Sequence, residues 1–179
     1  LLNYAYEIML SSSLNKENSK KYLKAIYEIA KHAGIYGMIG GQVVDVESEN
    51  KIIDKDKLDF IHLNKTAAMI VGCMRAGAII GDASEEELEK ITKYSENIGL
   101  SFQIVDDILD IVGDEEKLGK PIGSDIENHK STYPSLIGLD ESKKVATDLI
   151  KEAKDSIRKI SGESRFLEDL ADYIISRDH

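Results

Sequence analysis

The chain has 179 residues, a formal net charge of −10 and a hydrophobic share of 42%, which is enough for one domain with a sizeable core. The acidic balance argues against nucleic acid as a partner, because non-specific nucleic-acid binding needs a basic face. The single cysteine, Cys73, excludes an internal disulfide and fits a reducing compartment such as the cytoplasm. The most apolar run, residues 66–81, is interrupted by Arg75 and is too short to cross a bilayer. No stable membrane insertion is therefore expected.

The pattern of apolar residues predicts an all-α chain, with no strand-like alternation and only two prolines. Helices are predicted over residues 1–10, 17–46, 58–80 and 85–112, followed by two amphipathic helices after residue 135. Glycines at 34, 37, 40 and 41 predict a kink, or very close packing, in the second of these helices. The charged stretch 45–59 is predicted as a solvated connection. The chain begins at Leu1 inside a helical pattern and without methionine, so the natural protein is expected to begin earlier.

The segment 102–112 is predicted to be a helix that is apolar nearly all round. Gln103, Asp106, Asp107 and Asp110 follow the i, i+3, i+4, i+7 spacing of a single helix face. Three carboxylates on one buried face need a compensating cation, because burying an unpaired charge is costly. Mg²⁺ is the natural candidate, since it prefers one or two carboxylates together with waters and substrate phosphates. A solvated acidic face is the alternative, and the surrounding apolar residues argue against it.

Three lysines are candidates to bind an anionic substrate beside these carboxylates. Lys65, followed by Thr66, directly precedes the most apolar run, where a solvated lysine is unusual. Lys120 and Lys130 lie in the one long loop, at about 113–135, and long loops in compact domains are often functional lids. Each lysine taken singly fits an ordinary surface residue. As a set beside a metal site they fit ligands of a diphosphate.

Gln42 and Asp45 form a smaller polar pair, three residues apart on an otherwise apolar stretch. A purely structural polar pair explains them as well as a site does. Other metal and nucleotide sites are excluded by spacing: the glycines of 113–119 do not fit a Walker A loop, and Pro121 replaces its Ser or Thr. No Glu-x-x-His pair or EF-hand loop occurs. Surface or packing roles are predicted for the histidines at positions 32, 62, 129 and 179.

Four motifs occur in a characteristic order. They are Gly41-Gln42-x-x-Asp45, Lys65-Thr66, Phe102-Gln103-x-x-Asp106-Asp107-x-x-Asp110 and Gly119-Lys120-Pro121-x-Gly123-x-Asp125-x-x-x-x-Lys130-Ser131-Thr132-Tyr133-Pro134. Together they resemble the trans-isoprenyl diphosphate synthases. The closing stretch, Ala171-Asp172-Tyr173-Ile174-Ile175-x-Arg177, resembles the bacterial farnesyl diphosphate synthases, also called geranyltranstransferases.

The resemblance implies the helical bundle of isoprenoid synthases, with residues 1–179 forming the C-terminal part of a single polyprenyl synthase domain. The N-terminal helices, which carry a first Asp-rich motif in that family, would lie before Leu1, and the isolated chain is expected to be inactive. The implied reaction is a Mg²⁺-dependent prenyl transfer from dimethylallyl or geranyl diphosphate to isopentenyl diphosphate. Farnesyl diphosphate and free diphosphate would be the products. A homodimer in the cytoplasm is also implied.

The resemblance also implies a role for each candidate residue. The Mg²⁺ ligands, direct or through water, would be Asp45, Asp106, Asp107 and Asp110. The ligands of the allylic diphosphate would be Lys65, Lys120 and Lys130. The residues placed beside the allylic cation would be Thr66 and Gln103, and Gln42 would support the network of metal-bound waters.

Three alternatives remain beside a farnesyl diphosphate synthase. A geranylgeranyl diphosphate synthase is the first, because the residues that largely set product length in the family it resembles would lie before Leu1. A class I terpene cyclase would carry an Asn/Asp-x-x-x-Ser-x-x-x-Glu metal motif, and Asn97 and Ser101 have its first spacing, but Val105 occupies its last position. A non-catalytic subunit would have no need of the acidic motif that this chain retains.

Overall fold

The structure is a computed structural model that describes residues 1–113, 130–158, 160 and 162–177. Every regular element in these ranges is helical, which confirms the predicted all-α class. The helices are α1 (Leu2–Ser13), α2 (Ser19–Ala33), α3 (Met38–Ser48), α4 (Lys55–His62), a π-helical turn (Leu63–Ala67), α5 (Ala68–Ile80), α6 (Glu85–Val112), α7 (Tyr133–Ile137), α8 (Leu139–Ile157) and α9 (Arg165–Ser176).

The long helix α6 has the predicted boundaries, because its N-terminus is fixed by local chemistry. The Ser84 side chain accepts a hydrogen bond from the Glu87 backbone N–H, and the Ser84 backbone N–H donates to Glu87 at 2.9 Å. This reciprocal capping box satisfies two of the otherwise unpaired amides at the helix start. Helix α1, by contrast, continues three residues beyond the predicted end, to Ser13.

The predicted helix 17–46 is not continuous: the chain breaks into α2 and α3 between Ala33 and Met38, within the glycine-containing stretch for which a kink or very close packing was predicted. At Gly37 a Cβ atom would lie 2.8 Å from the carbonyl carbon of His32, so the break needs a residue without a side chain. The predicted connection 45–59 is also too long: only residues 49–54 separate α3 from α4. Asp54 caps α4 by accepting a hydrogen bond from the Lys57 N–H at 2.9 Å.

A π-helical turn joins α4 to α5 and is held between two glycines. A Cβ added at Gly41 of α3 would lie 2.7 Å from the carbonyl carbon of Asn64, and one added at Gly99 of α6 would lie 2.7 Å from Cα of Ala67. Helices α3 and α6 therefore approach this turn more closely than a residue with a Cβ atom at either position would allow. The extra residue of a π-turn is often found at functional sites, and here the turn contains Lys65.

Helix α6 lies at the centre of the described fold and packs against α4, α5, α7, α8, α9 and the π-turn. Its C-terminal half contributes Ile104, Val105, Ile108 and Leu109 to a core shared with α4 and α8. Its N-terminal half packs mainly against α8 and α9. There the fully buried Tyr94 donates its hydroxyl to the Leu167 carbonyl at 2.8 Å, and burial raises the pKa of Tyr94 to about 12.

The continuous helical run Lys55–Ile80 has 26 residues and is long and apolar enough to span a bilayer by length and composition. The apolar run at residues 66–81 is thus part of a longer helical run, because α4 and the π-turn extend it towards the N-terminus. Core helices of soluble proteins pass the same test. This run packs against α2 and α6, and its Arg75 donates to both carboxylate oxygens of Glu28, at 2.8 and 3.2 Å. Those hydrogen bonds lower the pKa of the Glu28 carboxyl.

We predict that Gly99→Ala destabilises the protein by about 1–3 kcal/mol, because the new methyl group has no room beside Ala67. Gly77→Ala in α5 is the matched control: nothing lies within 4 Å of its added Cβ, and it should stabilise the helix by about 0.5–1 kcal/mol. Urea unfolding of both variants measures the difference. Equal effects of the two substitutions would contradict the close packing at the π-turn.

Candidate active site

A cavity of about 250 Å³ lies beside the C-terminal half of α6 and brings six predicted site residues together. These residues are Asp45, Lys65, Gln103, Asp106, Asp107 and Lys130. Three further predicted residues, Gln42, Thr66 and Asp110, do not line it. Gln42 is exposed on α3, whereas Asp110 is only 1% exposed. Lys120 lies outside the described residues.

Lys65 and Asp45 form an ion pair at one wall of the cavity, with 2.6 Å between Nζ and Oδ2. The Lys65 side chain is 33% exposed, so the ammonium group still meets solvent. An ammonium group has three donors, and Asp45 occupies one of them. The pairing of α3 with the π-turn therefore leaves a cation that can donate further hydrogen bonds into the cavity.

Asp106 lies on the open side of α6, and its side chain is 42% exposed. Its Oδ1 accepts a hydrogen bond at 3.2 Å from Nη2 of Arg177, just after α9. The same Nη2 donates to the Phe102 carbonyl at 3.0 Å, and the guanidinium carbon lies 3.9 Å from the centroid of the Phe102 ring. Arg177 is thus fixed by an ion pair and a cation–π contact, and its side chain is only 9% exposed.

Asp107 has the opposite environment and is buried, at 8% exposure. Its Oδ2 accepts a hydrogen bond from the Tyr133 N–H at 2.9 Å and lies 3.3 Å from Nε2 of His62. The Tyr133 ring stacks on His62, and its hydroxyl donates to Asp59. Burial, reinforced by the hydrogen bond to Asp59, raises the pKa of the Tyr133 hydroxyl.

The chain itself provides part of the compensation that the acidic helix needs. Arg177 pairs with Asp106, and the Tyr133 N–H binds Asp107. Within the described ranges, no three His, Cys, Asp or Glu side chains form a cluster that could hold a metal unaided. Mg²⁺ does not require such a cluster, because one or two carboxylates with waters and phosphate oxygens suffice. The partly exposed carboxylate of Asp106, with Asp45 lining the same cavity, fits that open type of site.

Two contacts of Asp107 were not predicted from the sequence. His62, for which a surface or packing role was predicted, is buried and also lies beside Asp107. Its position three residues before Lys65, one helical turn away, is the sequence signal that could have indicated it. The bond from the Tyr133 amide to Asp107 had no such signal, because residues 107 and 133 are far apart in the chain.

A family model described as polyprenyl synthetase matches residues 1–164 of this sequence. The chain belongs to the polyprenyl synthetase family. It is 44% identical to the farnesyl diphosphate synthase of Bacillus subtilis strain 168 over all of the chain and 60% of that relative. It is 39% identical to the geranylgeranyl diphosphate synthase of Cyanophora paradoxa, again over all of the chain and 60% of the relative.

Among solved structures, a geranyltransferase from Helicobacter pylori, complexed with magnesium and isoprenyl diphosphate, superposes with a TM-score of 0.79. The two are 28% identical over 97% of this chain and 56% of that one. The resemblance to trans-isoprenyl diphosphate synthases predicted from the motifs is thereby confirmed. The chain spans about 60% of the length of the curated relatives described above.

We predict that Arg177→Ala lowers the free energy of unfolding by about 1.5–3 kcal/mol, because it removes a charged hydrogen-bond donor and the Phe102 contact. The matched control is Arg165→Ala at the start of α9, where an 82% exposed side chain lies 3.9 Å from Asp169. That change should alter stability by less than about 0.5 kcal/mol. Denaturant unfolding of the intact protein compares them, and a loss of the same size in both would contradict the anchoring contact.

Proposed function

We propose that the protein containing this chain is a Mg²⁺-dependent prenyltransferase that joins isopentenyl diphosphate to an allylic diphosphate. Family membership and the activities of its named relatives support the reaction class. One observation in the structure carries the proposal: Asp45 and Asp106 line a single cavity together with Lys65 and Lys130. A diphosphate that carries a divalent cation presents the charges complementary to both sets.

In the proposed reaction the allylic C–O bond breaks, and its electron pair leaves with the diphosphate. The double bond of isopentenyl diphosphate attacks the resulting allylic cation, and a proton is then lost. Lys65 and Lys130 hold the oxygens of the leaving diphosphate, with Lys120 as a third proposed ligand. Bound Mg²⁺ would neutralise charge that develops on the diphosphate. Asp106 and Asp45 are the carboxylates proposed to hold it, with Asp107 and Asp110 in supporting positions on α6.

The remaining residues shape the reaction space. Gln103 lines the cavity one helical turn before Asp106 and Asp107, where its amide dipole would face the allylic cation; Thr66, beside Lys65, is proposed to assist. Ile53, Leu58 and Ile61 give the same cavity an apolar wall. An apolar wall is required because water would otherwise trap the cation.

Farnesyl diphosphate is the proposed product, on the basis of the closing motif 171–177 and the similarity to the Bacillus subtilis relative. The geranylgeranyl diphosphate synthase of Cyanophora paradoxa is similar at 39% identity, so geranylgeranyl diphosphate is the second candidate product. The proposal includes a homodimer and a cytoplasmic location. These parts rest on the motif resemblance.

In the full-length protein, Asp106→Ala should lower kcat for prenyl transfer by about 100-fold or more, because transition-state charge on the diphosphate loses its support. Glu89→Ala, an exposed carboxylate on the same helix, is the control and should leave kcat unchanged. Radiolabelled isopentenyl diphosphate with geranyl diphosphate measures the rate, and chromatography of the dephosphorylated product identifies the chain length. Near-normal turnover of Asp106→Ala would refute the assignment of this carboxylate.

A further inference from the structure

Two neighbouring aspartates of α6 lie in different environments. Asp106 faces the cavity, and its side chain is 42% exposed, whereas Asp107 is 8% exposed. Among the described residues, both polar contacts of Asp107 use the same oxygen, Oδ2, which receives the Tyr133 N–H at 2.9 Å and lies 3.3 Å from Nε2 of His62. Asp107 therefore joins α6 to a segment that follows it by 26 residues in the chain.

That segment, residues 130–133, returns the chain to the cavity and ends at the start of α7. It contains Lys130, Ser131 and Thr132, all of which line the cavity. A second contact fixes it from the other side, because the Ile53 N–H donates to the Ser131 hydroxyl at 3.3 Å. Thr132 then caps α7 by accepting from the Ser135 N–H. The short path of this segment leaves the Tyr133 amide pointing at α6.

The Tyr133 ring provides a further attachment of this segment to the fold. It is 1% exposed and stacks on His62 with 5.9 Å between ring centroids, at an interplanar angle of 15°. Its hydroxyl donates to Asp59 of α4, and Lys55 lies 5.3 Å from its centroid. The ring is thus held by α4. The backbone amide of Tyr133 is held by α6, and its hydrogen-bond partner in the described structure is Asp107.

We infer that Asp107 is a positioning residue that fastens residues 130–133 to α6 and so holds Lys130 at the cavity. A buried amide has no water to replace a missing partner, and an ionised acceptor gives it a stronger hydrogen bond than a neutral one. The two neighbouring aspartates therefore have different roles. Asp106 faces the substrate, and Asp107 holds the segment that contains Lys130, a proposed ligand of the diphosphate. The role of Lys130 as a diphosphate ligand rests on the proposed function. The attachment of residues 130–133 to α6 by Asp107 does not depend on it.

Amide hydrogen exchange in the full-length protein tests the fastening without any assay of activity. Asp107→Ala should raise exchange at the Tyr133 amide by about tenfold or more, because a charged hydrogen bond is lost. Asp107→Asn keeps a neutral acceptor oxygen in place and should restore part of the protection, because a hydrogen bond to a neutral acceptor is weaker than one to a carboxylate. Asp106→Asn, the neighbouring control, should leave exchange at Tyr133 unchanged. Peptides from α9 should be unaffected in every variant, which separates local release from general unfolding.

Unchanged exchange at Tyr133 in Asp107→Ala would overturn the inference. Exchange at Tyr133 as fast in Asp107→Asn as in Asp107→Ala would also overturn it, since an acceptor oxygen at this position would then contribute nothing to the protection. If the alanine variant does not fold, Asp107→Leu fills the same space without an acceptor and provides the same comparison. Because the measurement involves neither substrate nor Mg²⁺, absence of prenyl transfer in the wild-type protein would refute the proposed function and leave this result standing.

Discussion

The structure depends on how carboxylates are tolerated along a helix that is otherwise buried. Asp106, Asp107 and Asp110 lie on α6, whose other faces carry core residues such as Ile104 and Ile108. A buried charge without a partner is strongly destabilising. The buried Asp107 receives the Tyr133 amide from the start of α7, and the more exposed Asp106 receives Arg177 from beyond α9. The acidic helix thereby determines where both segments lie.

A second constraint positions the cationic wall of the cavity. The π-turn would be blocked by side chains at Gly41 and Gly99, and its close approach to α3 sets Lys65 against Asp45. The cavity consequently receives carboxylates from α3 and α6 and ammonium groups from the π-turn and from Lys130. Neither set alone would attract a metal-bound diphosphate. Their convergence at one cavity is the physical basis of the proposed prenyl transfer.

The sequence predicts those features that depend on neighbouring residues. The start of α6 follows from Ser84 and Glu87, which are three residues apart, and its burial follows from apolar residues in every direction. The glycines at 34–41 predict a kink or close packing, but a full break at Gly37 was not predicted, because it depends on the approach of the His32 carbonyl in the folded chain. The contact of His62 with Asp107 was not predicted either, because it requires α4 to pack beside α6 in the folded chain. The family resemblance supplied residue roles that periodicity alone leaves open, including those of Lys65 and Asp106.

The central claim is that Asp106, Lys65 and Lys130 bind one metal-bound diphosphate. A crystal structure of the full-length protein with Mg²⁺ and an unreactive thiolo analogue of geranyl diphosphate tests it most directly. The account predicts a Mg²⁺ ion about 2.0–2.1 Å from an oxygen of Asp106 or from a water that Asp106 binds. It also predicts diphosphate oxygens within hydrogen-bond distance of both lysines. A diphosphate bound with Mg²⁺ elsewhere, with Asp106 still paired only to Arg177, would contradict it.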